Sequence, residues 1–105
     1  MNAWLYILKC ADDSYYTGST NNLALRITQH IRGEGSEYTS RRLPIKLVYV
    51  EEFQSEHEAF LRERQVKGWS RAKKEALIRG DFVALTALSR SHSCLASNHP
   101  EPVEG

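Results

Sequence analysis

The chain has 105 residues, 41% of them hydrophobic and 26% charged, with a net charge of +1. That is about one domain of ordinary globular composition, which excludes a fibrous repeat and disorder throughout. No apolar run approaches the ~18–20 residues of a membrane helix, and Met1-Asn2-Ala3-Trp4 shows neither a basic nor an apolar signal region, so a cytoplasmic protein without a membrane partner is expected.

Residues 4–10 are β-branched, aromatic and aliphatic, and residues 15–17 (Tyr-Tyr-Thr) follow a short Asp-rich link. The two runs predict a β-hairpin. Asn21 or Asn22 can cap a helix over residues 23–32, with Leu23, Ile27 and Ile31 as its apolar stripe and glycines 33 and 35 ending it. Residues 45–53, after Pro44, predict a third strand. Ser55-Glu56-His57-Glu58 has the form of a capping box for a helix over 56–68. Ser70 caps a helix over 71–79 that Gly80 stops, and a short last helix from Asp81 aligns Phe82, Leu85 and Leu88. From residue 89 the chain turns polar, so a domain over 1–90 and a disordered tail over 91–105 are expected. The fold class is α/β in the broad sense (α+β): a small, mostly antiparallel three-stranded sheet flanked by helices, in the order ββα-β-ααα.

Several side chains fit a structural role poorly. Tyr6 and Tyr16 sit on the two hairpin arms, with Gly18 beyond the second, although tyrosines in strands are commonly core residues or cross-strand pairs. Arg26 and His30 are four apart and project from one helix face. Glu63 lies on the stripe of Ala59 and Val66, where a carboxylate needs a base, hydrogen bonds or a metal to offset desolvation. An ion pair with Arg26 would satisfy it structurally. Residues 62–79 carry seven bases and two acids, the charge pattern of a polyanion-facing surface or of a solvated helix. Cys10 and Cys94 make no disulfide framework, and His92, Cys94 and His99 lack a zinc-site spacing.

In this order the residues resemble the GIY-YIG endonucleases. That family's signature is a Gly-Ile-Tyr triplet on one strand, a Tyr-Ile-Gly triplet on the next, an Arg on the first helix and a metal-binding Glu on a later one. Here Trp4-Leu5-Tyr6 and Tyr16-Thr17-Gly18 stand at the triplets. Arg26, with His30 one turn on, stands at the helix-one positions, and Glu63 at the glutamate. Lys67-Gly68-Trp69-Ser70 and Leu77-Ile78-Arg79-Gly80-Asp81 are similar to the small stand-alone bacterial branch, and the likeness spans residues 2–90. The chain departs from the pattern at Trp4, at Thr17, at Ser19 (a Lys in some relatives) and in lacking an Asn in the last helices.

The resemblance implies a metal-dependent endonuclease that hydrolyses DNA by a one-metal mechanism. Glu63 would hold Mg²⁺ or Mn²⁺, and Arg26 would offer its fork of donors to phosphate. Tyr6, Tyr16 and His30 are the candidates for moving the water's proton, and the sequence leaves open which one does so. Lys67, Arg71, Lys73 and Lys74, with Arg41 and Arg42 of a mobile loop over 33–42, would contact phosphates of DNA, branched and single-stranded forms included. Tyr38 would stack on a base or pack on the sheet. The alternatives are a nucleic-acid-binding module with little or no cleavage, and a protein-interaction domain in which Glu63 is half of an ion pair. The nuclease reading requires Tyr6, Tyr16, Arg26, His30 and Glu63 to converge.

Overall fold

A computed structural model describes residues 2–95, with side chains through residue 88. Strands β1 (Ala3–Lys9), β2 (Tyr15–Thr20) and β3 (Lys46–Phe53) form one sheet in the order β2-β1-β3, with both pairs antiparallel. The helices are α1 (Leu23–Ile31), α2 (Glu37–Ser40), α3 (Glu56–Lys67), α4 (Arg71–Arg79) and α5 (Phe82–Leu95). This is the expected α+β architecture with one added helical turn, α2. The described residues fall into two compact units, the first ending at Arg64 and the second beginning at Gln65.

In the first unit β1 is the central strand, which explains its unbroken apolar run. Leu5, Tyr6, Ile7 and Leu8 are all at most 1% exposed, because a strand paired on both sides and covered on both faces has no position left for a polar outlook. The hairpin turn places Asp13 at φ +71°, a conformation Asp tolerates better than most residues, and the Ser14 amide donates to the Asp12 carboxylate. Across the hairpin Tyr6 lies opposite Gly18. A Cβ on Gly18 would stand 2.5 Å from the Tyr6 hydroxyl, so the phenol occupies the space a side chain would need.

Asn22 caps α1 by accepting the Leu25 amide, as expected. The stripe does not end as expected: Ile31 is 60% exposed and His30 is fully buried. Leu23, Ile27 and His30 follow the i, i+4, i+7 line of a buried helix face, so the polar residue, not the isoleucine, continues it. Residues 33–42, expected as a mobile loop, contain α2. Ser36 caps it by accepting the Thr39 amide, and Thr39 is fully buried. Ser55 accepts the Glu58 amide at the start of α3, as the capping box predicts.

In the second unit Ser70 caps α4, Gly80 closes it at φ +71°, and α4 packs against α5. The buried face of α4 is Lys73, Lys74, Ala76 and Leu77. Helix α5 runs on to Leu95, through residues expected in the tail; residues 96–105 of that tail lie outside the described residues. Phe82 is 69% exposed and so does not share an inner face with Leu85 and Leu88. No helix among the described residues is long and apolar enough to cross a membrane.

Two substitutions on β2 test this packing. The Thr17 hydroxyl is buried without a hydrogen-bond partner among the described residues. Thr17→Val keeps the shape, removes that polar atom and is expected to raise stability by about 1–2 kcal/mol in denaturant unfolding. Gly18→Ala drives a methyl group into the Tyr6 ring, and a loss of about 1–3 kcal/mol is expected in the same measurement.

Candidate active site

The site begins with a hydrogen bond between the central strand and the first helix. Tyr6 Oη and His30 Nε2 are 2.9 Å apart, and both residues are removed from solvent. On the other side of the ring His30 Nδ1 lies 2.8 Å from Thr39 Oγ1 of α2. A Cβ on Gly35 would stand 2.4 Å from Nδ1, so the absence of a side chain there lets this segment close over the imidazole. Burial pushes the Tyr6 phenol up to about 12, against the opposing pull of a hydrogen bond from Arg26. Burial, and then the Arg26 charge, hold His30 down at about 4. Near neutral pH the phenol keeps its proton and the imidazole is uncharged.

Tyr16, half-buried, completes an aromatic group with ring centroids 6.4 Å from Tyr6 and 5.2 Å from His30. Tyr38 stacks on Tyr16 at 6.0 Å, and the Arg42 guanidinium sits 3.8 Å above Tyr38. Arg42 is tied in turn to Asp12 of the hairpin turn at 3.0 Å and to the Tyr38 carbonyl at 2.9 Å. Tyr38 therefore packs within the first unit, the second of the two roles expected for it. Arg42 already has an anionic partner and closes the stack from outside.

Arg26 projects from α1 toward both tyrosines and also donates to Gln29 at 3.2 Å. Glu63 comes from α3, half-buried as its place on the Ala59 and Val66 stripe suggests. The Ser19 hydroxyl donates to its Oε1 at 2.5 Å, and its charge is among those that act on Tyr6. Ser19 and Tyr6 start from alternate faces of the hairpin, since Ser19 pairs with Leu5 and Tyr6 with Gly18. Glu63 is thus held at the end of β2 by a residue of the other hairpin face and does not join the tyrosines in contact; Ser19 also lines, with Asn21, His57 and Phe60 among others, a cleft of about 380 Å³. Tyr6, Tyr16, Arg26 and His30 form one cluster, and Glu63 is its electrostatic neighbour.

The expected phosphate contacts fare differently. Arg41 is exposed and pairs with Glu37 at 2.8 Å. In the second unit Arg71 pairs with Glu75 at 3.2 Å, and Lys67 is half-buried. Lys73 is 7% exposed with its ammonium 4.4 Å from the Trp69 ring centroid, and Lys74 is fully buried. Neither ammonium is presented to solvent, because both lie on the face of α4 that tertiary structure covers; a count of charges along the chain carries no such information. Sequence reasoning missed Thr39, Ser36 and Gly35. The signal was available in Ser36-Glu37, a capping residue followed by an acid, which marks a helix start. Cys10 is buried and burial raises its thiol, so nothing activates it. The His92, Cys94 and His99 cluster lies outside the residues with described side chains.

Comparison with known proteins agrees with this geometry. Residues 2–76 match the GIY-YIG catalytic domain. A UPF0213 protein of Natronomonas pharaonis is 47% identical over 75 residues, covering 71% of this chain and 88% of the relative. Another from Clostridium perfringens is 51% identical over 75 residues, covering 71% and 81%. The solution NMR structure of a UPF0213 protein from Bacillus halodurans is 43% identical, with a TM-score of 0.51 over 85% of this chain and 98% of that one. A solution NMR structure of a protein from E. faecalis is 31% identical, with a TM-score of 0.54 over 79% and 88%. With its two tyrosine triplets, helix-one arginine and later glutamate in order, this chain belongs to the GIY-YIG family, in its small stand-alone UPF0213 branch.

Proposed function

We propose that this protein is a metal-dependent endonuclease that hydrolyses DNA phosphodiester bonds. The observation that carries this reading is the buried Tyr6–His30 hydrogen bond beside Arg26, within range of the Glu63 charge. A scaffold with only a packing role has no use for a desolvated phenol–imidazole pair next to a guanidinium, which costs more than apolar packing of the same volume.

Glu63 fits a hard divalent cation, Mg²⁺ or Mn²⁺. Its carboxylate is half-buried with one oxygen oriented by Ser19. Among the described residues no group of three or more His, Cys, Asp or Glu side chains gathers to hold a metal. A single carboxylate suits a cation that keeps most of its waters and takes substrate oxygens as further ligands. Such a cation supplies Lewis-acid neutralisation of the charge that builds on the phosphoryl and leaving oxygens.

The chain's own residues supply the rest. Arg26 offers its fork of donors to the nonbridging phosphate oxygens. Phosphate there offsets the positive charge that helps suppress His30, so substrate itself raises the basicity of the imidazole. Tyr6 keeps its proton at neutral pH and can act only in relay. As the water oxygen bonds to phosphorus, a water O–H bond breaks and its proton goes to Tyr6 Oη, a step that requires bound substrate to bring that water within reach of a hydroxyl buried in the free protein. The phenol's own proton passes to His30 Nε2, and the bond from phosphorus to the leaving oxygen breaks with its electron pair on that oxygen, which takes a proton from solvent. Tyr16 walls this path.

Cleavage of duplex, branched and single-stranded DNA with Mg²⁺ or Mn²⁺ tests the proposal. Glu63→Gln leaves Ser19 an acceptor but gives a poor ligand for a hard cation. A fall in cleavage of about 10³-fold or more is expected, with an unchanged melting temperature. Tyr6→Phe removes the relay hydroxyl, with an expected loss of about 10²-fold or more in kcat. A wild type that binds these DNAs but cleaves none would instead identify a nucleic-acid-binding module.

The protonation state of His30 has its own test. Its pKa is depressed from 6.5 to about 4, so the unfolded chain binds more protons between those values and stability falls as pH drops through them. The stability advantage of wild type over His30→Gln, measured by denaturant unfolding, is expected to shrink by about 3 kcal/mol between pH 7 and pH 4. A constant gap would show that His30 is not held neutral.

A further inference from the structure

The single proton on the neutral His30 ring has two possible positions, and the surrounding groups choose between them. Among the described residues the Tyr6 hydroxyl meets two partners, Arg26 and His30 Nε2. A guanidinium only donates, so the phenol oxygen accepts from Arg26 and its own proton must point to Nε2, 2.9 Å away. Nε2 is then an acceptor, which puts the ring proton on Nδ1. Nδ1 faces Thr39 Oγ1 at 2.8 Å, and the Thr39 hydroxyl can pass its proton on to Ser36 Oγ at 3.0 Å. Thr39 is fully buried and held in place by the hydrogen bond that its own backbone amide donates to Ser36 Oγ, while Gly35 lets this turn close against the ring.

We propose that Thr39 is a positioning residue: it accepts the Nδ1 proton of His30 and so fixes the tautomer whose Nε2 is free to receive the Tyr6 proton. Without the Thr39 oxygen, Nδ1–H would be a buried donor with no acceptor, and the ring proton would move to Nε2. Tyr6 would then face a donor instead of an acceptor, and its proton would have nowhere to go. The one-turn helix α2 is therefore part of the relay's construction, although it touches neither phosphate nor water in it. The rate consequence rests on the nuclease reading; the tautomer does not.

The experiment uses the full chain, labelled with ¹⁵N, and long-range ¹H–¹⁵N spectra of its imidazoles at pH 7. His30→Gln assigns the His30 ring among the four histidines. Wild type is expected to carry the proton on Nδ1, Thr39→Ser to keep it there, and Thr39→Val to move it to Nε2. Cleavage should follow the same order: kcat lower by about tenfold or more in Thr39→Val with KM unchanged, and recovered in Thr39→Ser. A wild-type ring protonated on Nε2, or a folded Thr39→Val variant that keeps Nδ1–H, overturns the proposal. So does a Thr39→Val variant with a moved proton and an unchanged kcat. If Thr39→Val fails to fold, the wild-type and Thr39→Ser spectra still decide the tautomer. A wild type that cleaves no DNA overturns the nuclease reading alone, and the ring spectra then decide the role of Thr39.

Discussion

The contact between the Tyr6 hydroxyl and His30 Nε2 joins a residue of the central strand to one on the first helix where solvent cannot reach. Water cannot substitute for either partner, so backbone and neighbouring side chains must hold both groups in place. Much else in the first unit follows from that demand. Gly18 lacks a side chain because the phenol fills its place, and Gly35 lacks one because the imidazole does. Thr39 is buried because Nδ1 needs a partner, and Ser36 is positioned to cap the turn that presents Thr39. Two strands, a helix and a four-residue turn are organised around one pair of polar atoms.

The same constraint shapes the electrostatics. Arg26 adds a permanent positive charge beside a phenol and an imidazole that have both lost their solvent. Burial holds each group in its neutral form near neutral pH, with Arg26 reinforcing that hold on His30 and opposing it on Tyr6, and both respond to an anion arriving at Arg26. The second charged element, Glu63, is oriented by a serine hydroxyl at the position where some relatives carry a lysine. A lysine there would bring its own charge to the carboxylate, whereas Ser19 orients Glu63 without neutralising it. The other departures are also accommodated locally. Trp4 pairs across the hairpin with Thr20, and Thr17 is buried as a β-branched residue in a strand.

The basic run between residues 62 and 79 shows how far charge along a chain can differ from charge presented to solvent. Arg62 pairs with Glu51 in the first unit. In the second, Arg71 pairs with Glu75 and Arg79 with Asp81. Lys73 lies against an aromatic ring, and Lys74 is covered. In the first unit Arg32, Arg41, Lys46 and Arg64 are exposed, and Arg64 lies 5.9 Å from the Phe60 ring centroid. Long basic side chains bury their stems readily, so a lysine on a helix is a weak sign of a phosphate contact.

Local rules were enough for the sheet, four of the five helices and the family. The hairpin was legible in two apolar runs around an Asp-rich turn, and Asn22, Ser55, Ser70 and Gly80 marked helix ends through backbone groups within a few residues. The ordered triplets with Arg26 and Glu63 identified the candidate site because spacing in sequence survives folding. What the tertiary structure alone decided depends on contacts between residues far apart in sequence. Nothing in residues 23–31 says that His30 and not Ile31 enters the interior; that follows from the Tyr6 hydroxyl waiting 24 positions away. Nothing near Lys74 announces that its face of α4 is covered. Thr39 reads as an ordinary loop residue until the imidazole is found against it. Capping and strand patterning are local energies and can be read along the chain, whereas the proton position on a buried ring is set by which atoms the finished fold brings within 3 Å of it.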